Sequence, residues 1–132
     1  MTVFVDTSAI FALLDADDEF HRAASEGWTA LVGRGEELIT SNYVVAEASA
    51  LVARRLGFDA VRALLVGLVT AVRVVWIDER LHDRAVAALL EARERRLSLV
   101  DCVSFEVMRS LALGAAFAFD AHFSQRGFEC VP

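Results

Sequence analysis

Apolar residues along the chain fall into two alternating kinds of run. Short unbroken runs, rich in β-branched side chains, cover Val3–Val5, Glu37–Thr40, Val74–Ile77, Ala116–Phe119 and, more weakly, Phe128–Val131. Each predicts a strand, and the lack of in–out alternation fits strands buried on both faces. Between them, apolar positions return every three or four residues, as on one face of a helix. Ser8–Leu14 is the first such segment. The acidic cluster Asp15–Glu19 is expected to start a second helix carrying Phe20, Ala23, Ala24, Trp28 and Leu31, with Gly33 and Gly35 at its end. Tyr43–Leu56 follows, capped by Ser41 or Asn42 and stopped at Gly57. A very apolar helix restarts at Phe58-Asp59 and runs to about Val72. A charged helix leads from Asp78-Glu79 to about Arg96, another from Ser98 to Leu113, and Ala121–Gln125 allows one turn. Strands alternating with helices predict an α/β fold with a doubly wound, mostly parallel sheet.

Composition narrows the class. A chain of 132 residues that is 56% hydrophobic can bury one core, and neither a linker nor a repeat divides it, so residues 1–132 are expected to form a single domain. The longest apolar stretches are interrupted well short of the ~20 residues a spanning helix needs. The N-terminus lacks the basic region of a signal peptide. Cys102 and Cys130 sit in apolar patterns without metal or disulfide spacing, which fits core thiols in a reducing cytoplasm. A net charge of −6 argues against binding nucleic acid by bulk charge. Every strong base is arginine and no lysine occurs, which excludes P-loop and Schiff-base chemistry. Arginine still grips phosphate, and the pairs Arg54-Arg55 and Arg95-Arg96 keep a nucleic-acid substrate open.

Carboxylates are the candidate chemistry. Asp6, Asp78 and Asp120 each end a predicted strand, so in a parallel sheet they share one edge. Glu47 lies on the helix after the second strand, on a stripe with Tyr43, Ala50 and Arg54, and Asp101 stands in the first turn of its own helix. Each has a structural explanation: Asp6, Asp78 and Asp120 as helix caps, Asp101 as half of a capping box with Ser98, and Glu47 as a half-exposed helix residue. Together they suggest more. Carboxylates crowded into one space raise one another's pKa, and a hard divalent cation relieves that.

The runs Val3-Phe4-Val5-Asp6-Thr7-Ser8-Ala9, Thr40-Ser41-Asn42-Tyr43-Val44-Val45-Ala46-Glu47, Ser98-Leu99-Val100-Asp101-Cys102-Val103-Ser104-Phe105 and Phe119-Asp120-Ala121-His122-Phe123 resemble, in order, the motifs of a PIN domain. More narrowly they resemble VapC-type ribonuclease toxins of toxin–antitoxin pairs. The resemblance implies a sheet of strand order 3-2-1-4-5 with helices on both faces, a Mg²⁺- or Mn²⁺-dependent site, cleavage of RNA, a small cognate antitoxin and a homodimer. By matching motifs the acidic site is Asp6, Glu47, Asp101 and Asp120, while Asp78 keeps its capping role. Asp6 and Asp101 are the leading metal ligands. Glu47 and Asp120 are expected to bind a second ion, hold the attacking water or help deprotonate it. Thr7, Ser8 and Thr40 are candidates to orient ligands, and Arg54 to grip a neighbouring phosphate. Many relatives carry Thr or Ser two residues before the last acid, where this chain has Ala118. His21 reads as a surface residue and His122 as a turn residue.

Other classes compete for the pattern. A haloacid-dehalogenase-like phosphohydrolase wants a second Asp two residues after the first, where Ser8 stands, and usually a lysine. A phosphoacceptor receiver domain also needs a lysine. A non-catalytic PIN-like module binding RNA or protein is favoured only by Ala118.

Overall fold

Strand β1 (Thr2–Val5) sets the architecture. Val3, Phe4 and Val5 are each completely buried although successive side chains point to opposite faces, so both faces of the sheet are covered. The computed structural model describes residues Met1–Pro132. On one side β1 pairs in parallel with β2 (Glu37–Ser41), Val3 opposite Leu38. On the other it pairs with β4 (Ala115–Phe117), Val3 opposite Ala115. Short strands β3 (Arg73–Val75) and β5 (Glu129–Val131) close the edges, giving five parallel strands in the order 3-2-1-4-5. The chain leaves β1 towards β2 and β3 and then returns to β4 on the other flank. The crevice at the carboxyl ends of β1 and β4 is therefore the topological switch point, where open α/β sheets hold ligands.

The helices are α1 (Thr7–Leu14), α2 (His21–Gly33), α3 (Asn42–Leu56), α4 (Phe58–Arg62), α5 (Glu79–Ala92), α6 (Leu99–Ser110) and α7 (Ala121–Gln125). Helix α1 packs on α2 and α3, α3 on α4 and α6, and α5 along α6. An aromatic cluster fills the core beside β1: Phe123 lies 5.1 Å from Phe105, edge to face, and 6.4 Å from Phe4 between ring centres. No helix is long and apolar enough to cross a membrane.

Several boundaries differ from the sequence expectation, each for a local reason. Strand β3 stops at Val75 rather than Ile77, because β2 passes straight into α3 at Asn42 and offers no further backbone. The Ile77 N–H donates instead to the Asn42 side chain at 2.9 Å. Strand β4 stops at Phe117, so Asp120, like Asp78, stands three residues beyond its strand. The acids Asp15 and Asp18 accept backbone N–H groups of Asp17 and Phe20, making turns that delay α2 to His21. The helix expected up to Val72 is a short α4 followed by a π turn (Ala63–Gly67) and a 3₁₀ turn (Leu68–Ala71), with Leu64 alone buried among the residues of these three pieces. Helix α5 ends at Ala92, not near Arg96, since Arg93 adopts a left-handed conformation (φ 55°) and the chain turns to bury Leu97. Helix α6 likewise ends at Ser110, short of Leu113.

Candidate metal centre and active site

Asp6 follows the last residue of β1 and caps α1. It is 3% exposed. Its Oδ2 accepts the Ser8 hydroxyl at 2.6 Å and the Ser8 N–H at 3.1 Å. Burial pushes its pKa up from 3.8 to about 6, and the negative charge of Asp101 adds to the rise, while the Ser8 bonds pull the other way. Ser8 does more than hold Asp6. Its Oγ also accepts the Phe119 N–H at 2.9 Å, which ties the end of β1 to the residue before Asp120. Asp6 itself donates its N–H to the Phe117 carbonyl at 3.1 Å.

Asp101 arrives from α6. The capping box expected from Ser98-Leu99-Val100-Asp101 is formed in both directions, with the Asp101 N–H donating to Ser98 Oγ and the Ser98 N–H donating to Asp101 Oδ2, each at 3.0 Å. The box oxygen, Oδ2, is also the Asp101 atom nearest His122. Asp120 caps α7 through the His122 N–H at 2.9 Å. His122 Nδ1 lies 3.0 Å from Asp120 Oδ1 and 3.6 Å from Asp101 Oδ2. That nitrogen is buried and makes no hydrogen bond, although both carboxylates lie within ion-pair range. One ligand atom from each of Asp101, Asp120 and His122 falls within 4.8 Å of the others.

Glu47 stands apart from this trio. It is half-buried on α3 and borders a hollow of about 470 Å³ with Asn42, Tyr43, Ala46 and Val100, the residue before Asp101. The Tyr43 hydroxyl is held by His82 Nδ1 from α5. Asp78, as expected, does nothing here beyond accepting the Leu81 N–H to cap α5.

The remaining candidates separate. Thr7 is buried beside Asp6, and its hydroxyl has no hydrogen-bond partner. Thr40 is spoken for: its Oγ1 donates to the Val5 carbonyl at 2.8 Å, locking β2 to the residue before Asp6. Arg54 is exposed in the last turn of α3, roughly 10 Å of helix rise beyond Glu47. Ala118 is buried, and its N–H continues the pairing to β5 through the Val131 carbonyl. His21 is not a plain surface residue, because its Nδ1 bonds the Ala12 carbonyl at 2.8 Å and docks α2 on α1. His122 is the residue sequence reasoning discounted. Its one available signal was its place two residues after Asp120 at a helix start.

The donor set fits a hard divalent cation. Asp6 and Asp101 are buried, and Asp120 is half-buried beside an imidazole. The pKa of Asp6 is raised, and two buried polar atoms, Thr7 Oγ1 and His122 Nδ1, lie unsatisfied at the same edge. The cysteines are not part of it as nucleophiles. Burial pushes both thiols up, with the Asp101 charge acting in the same direction on Cys102.

The PIN-domain family profile matches residues 3–129. The chain is 39% identical over 127 residues to the 23S rRNA-specific endonuclease VapC20 of Mycobacterium tuberculosis (strains CDC 1551 / Oshkosh and ATCC 25618 / H37Rv), which covers 96% of this chain and 95% of that protein. It is 43% identical over 63 residues to ribonuclease VapC26 of Mycobacterium tuberculosis H37Rv, covering 48% of this chain and 44% of that one. The crystal structure of Mycobacterium tuberculosis VapC20, described as a sarcin–ricin loop cleaving toxin, superposes with a TM-score of 0.86 at 38% identity, over 96% of this chain and 95% of that one. FitAcB from Neisseria gonorrhoeae gives 0.71 at 15% identity, over 100% of this chain and 97% of that one, a likeness of fold alone. With a profile match over nearly its whole length and this identity to a relative of the same size, the chain belongs to the PIN-domain family, among its VapC-type ribonuclease toxins.

Proposed function

We propose that the chain is a Mg²⁺- or Mn²⁺-dependent endoribonuclease, the toxin of a type II toxin–antitoxin pair, and that it cuts a ribosomal RNA hairpin of the kind named for VapC20. The observation that carries the reading is the meeting of Asp101, Asp120 and His122 at the switch point, with Asp6 close enough for its pKa to feel Asp101. Asp6, Asp101 and Asp120 would hold the ion, and His122 Nδ1 is aimed at the same space. When bound, the ion would neutralise charge on the phosphoryl oxygens and lower the pKa of the attacking water. Glu47, away from the trio on the facing helix, is the candidate to accept that water's proton at a carboxylate oxygen. Ser8 would fix the Asp6 carboxylate and the approach to Asp120 together.

A protein partner for the apolar flank is part of the reading. Trp76, Leu65 and Val66 are exposed there, Trp76 at 78%, and Trp76 and Leu65 line a hollow of about 430 Å³. A small antitoxin or a second copy of the chain would cover it, and sedimentation at micromolar concentration tests the dimer.

The deciding assay is cleavage of 23S rRNA with Mn²⁺ by the wild type, Asp6→Asn and Asp101→Asn. Cleavage by the wild type, abolished by EDTA and by either substitution, is expected. Equal cleavage by all three would refute the site. Binding without cleavage by the wild type would favour the non-catalytic module instead.

A further inference from the structure

The turn between α5 and α6 carries the densest positive charge on a protein whose net charge is −6. Arg22, Arg34, Arg73, Arg84, Arg109 and Arg126 are engaged in ion pairs with carboxylates. Arg93, Arg95 and Arg96 are in none, and all three are exposed. The acid within the run does not cancel them, because both Glu94 carboxylate oxygens accept from Arg126 Nη2 at 3.1 Å. Arg126 in turn lies over the Phe105 ring, 5.0 Å from its centre. The turn therefore presents three uncompensated guanidinium groups.

The turn is also anchored. Arg93 ends α5 in a left-handed conformation, Leu97 is buried, and the Leu97 N–H donates to the Glu94 carbonyl at 3.3 Å. It leads directly into the site, since Ser98, the next residue, donates its N–H to Asp101 Oδ2. By chain geometry the Arg96 Cα lies within about 7 Å of the Ser98 Cα. An extended arginine side chain from there is long enough to reach a backbone phosphate beside the acidic cluster, and its fork matches phosphate geometry.

We propose that Arg93, Arg95 and Arg96 form a clamp for the RNA phosphates flanking the scissile one, on the α6 side of the cleft. The clamp rests on the ribonuclease reading. It gives an acidic protein local purchase on a polyanion, and it fixes the flank along which the strand leaves the site.

The test compares the wild type with Arg93→Gln/Arg95→Gln/Arg96→Gln and with a charge-matched control, Arg22→Gln/Arg34→Gln/Arg73→Gln. Affinity for a sarcin–ricin hairpin RNA is measured with Mg²⁺ between 50 and 200 mM salt, each set placed in an Asp6→Asn background to prevent turnover, and cleavage is measured in the active background. Loss of three phosphate contacts makes the slope of log affinity against log salt shallower by about 2, at about 0.7 per contact. KM for the RNA rises while kcat stays within about twofold, as expected for uniform binding, and the control keeps the wild-type slope. If the turn variant and the control shift alike, charge alone is acting and the clamp is wrong. If the wild type cleaves and the turn variant matches it in slope and KM, the clamp fails while the site reading stands. A wild type that neither binds nor cleaves overturns both.

Discussion

Replacing Asp6 by Asn should make the metal-free protein more stable, although it removes one of the proposed metal ligands. Asp6 is 3% exposed, and its pKa is raised to about 6 from 3.8, chiefly by burial. A rise from 3.8 to about 6 is worth about 3 kcal/mol between the charged and neutral forms. The sign follows from linkage. The folded state holds this proton more tightly than the unfolded chain, so protonation stabilises the fold. That stabilisation is complete below about pH 4 and is lost as pH rises through 6, after which Asp6 is charged in both states and its burial cost is constant. Asn is neutral throughout and keeps an oxygen to accept from Ser8. In EDTA at pH 7.5, urea unfolding should therefore show Asp6→Asn more stable by up to about 3 kcal/mol. The advantage should shrink to near zero by about pH 4. Taking the difference between the two proteins removes opposing groups such as Glu36, whose pKa is lowered mainly by its hydrogen bond to the chain N-terminus. Adding Mn²⁺ should reverse the order, because the ion binds the folded wild type and stabilises it by mass action. Equal stabilities at pH 7.5, or a difference that does not vary with pH, would refute the claim that Asp6 is held charged at a cost that a cation offsets.

Other substitutions separate structure from chemistry. Ser8→Ala leaves the Phe119 N–H without its acceptor and Asp6 without its hydroxyl donor; urea unfolding should show a loss of about 1–3 kcal/mol, and cleavage should fall with it. Thr40→Val strips the Val5 carbonyl of its side-chain donor and should cost about 1 kcal/mol, with kcat nearly unchanged, so a large kcat loss at full stability would return Thr40 to the site. Glu47→Gln should leave the unfolding midpoint in place while lowering kcat by about 10²–10⁴-fold, the range for a lost general base; unchanged kcat would remove Glu47 from the mechanism.

Most of the fold could be read from the chain because its signals are local. Unbroken runs such as Val3-Phe4-Val5 mark buried parallel strands, and Ser98-Leu99-Val100-Asp101 is a capping box that forms as written. Tertiary partners decided what was misread. Ile77 looks like strand until its N–H meets the Asn42 side chain, a contact 35 residues away in sequence. The segment after Phe58 is apolar enough for a regular helix, yet it buries so little that nothing enforces α geometry and it relaxes into π and 3₁₀ turns. His122 was illegible for the same reason. A histidine at the start of a short helix looks inert until Asp101, 21 positions earlier, is brought to within 3.6 Å of its ring.

Capping and the proposed metal role of each acid are compatible, for a geometric reason. In a parallel sheet every strand hands over to a helix at the same edge, and a helix that begins there wants a carboxylate at its cap. Asp6 caps α1 and Asp120 caps α7, while Asp101 completes the box of α6. Each cap bond engages a single oxygen: Oδ2 of Asp6, Oδ2 of Asp101 and Oδ1 of Asp120. Capping thus orients each carboxylate without exhausting it: the capping oxygens of Asp101 and Asp120 are the same ones that lie 3.6 and 3.0 Å from His122 Nδ1. The bonds also make the acids expensive to move, as the proposed cation site would require of like charges held together before an ion binds. Asp78 shows the limit of the rule. It caps α5 by the same chemistry, but it follows the edge-side strand β3 rather than the two strands that flank the switch point, and it stays a cap alone.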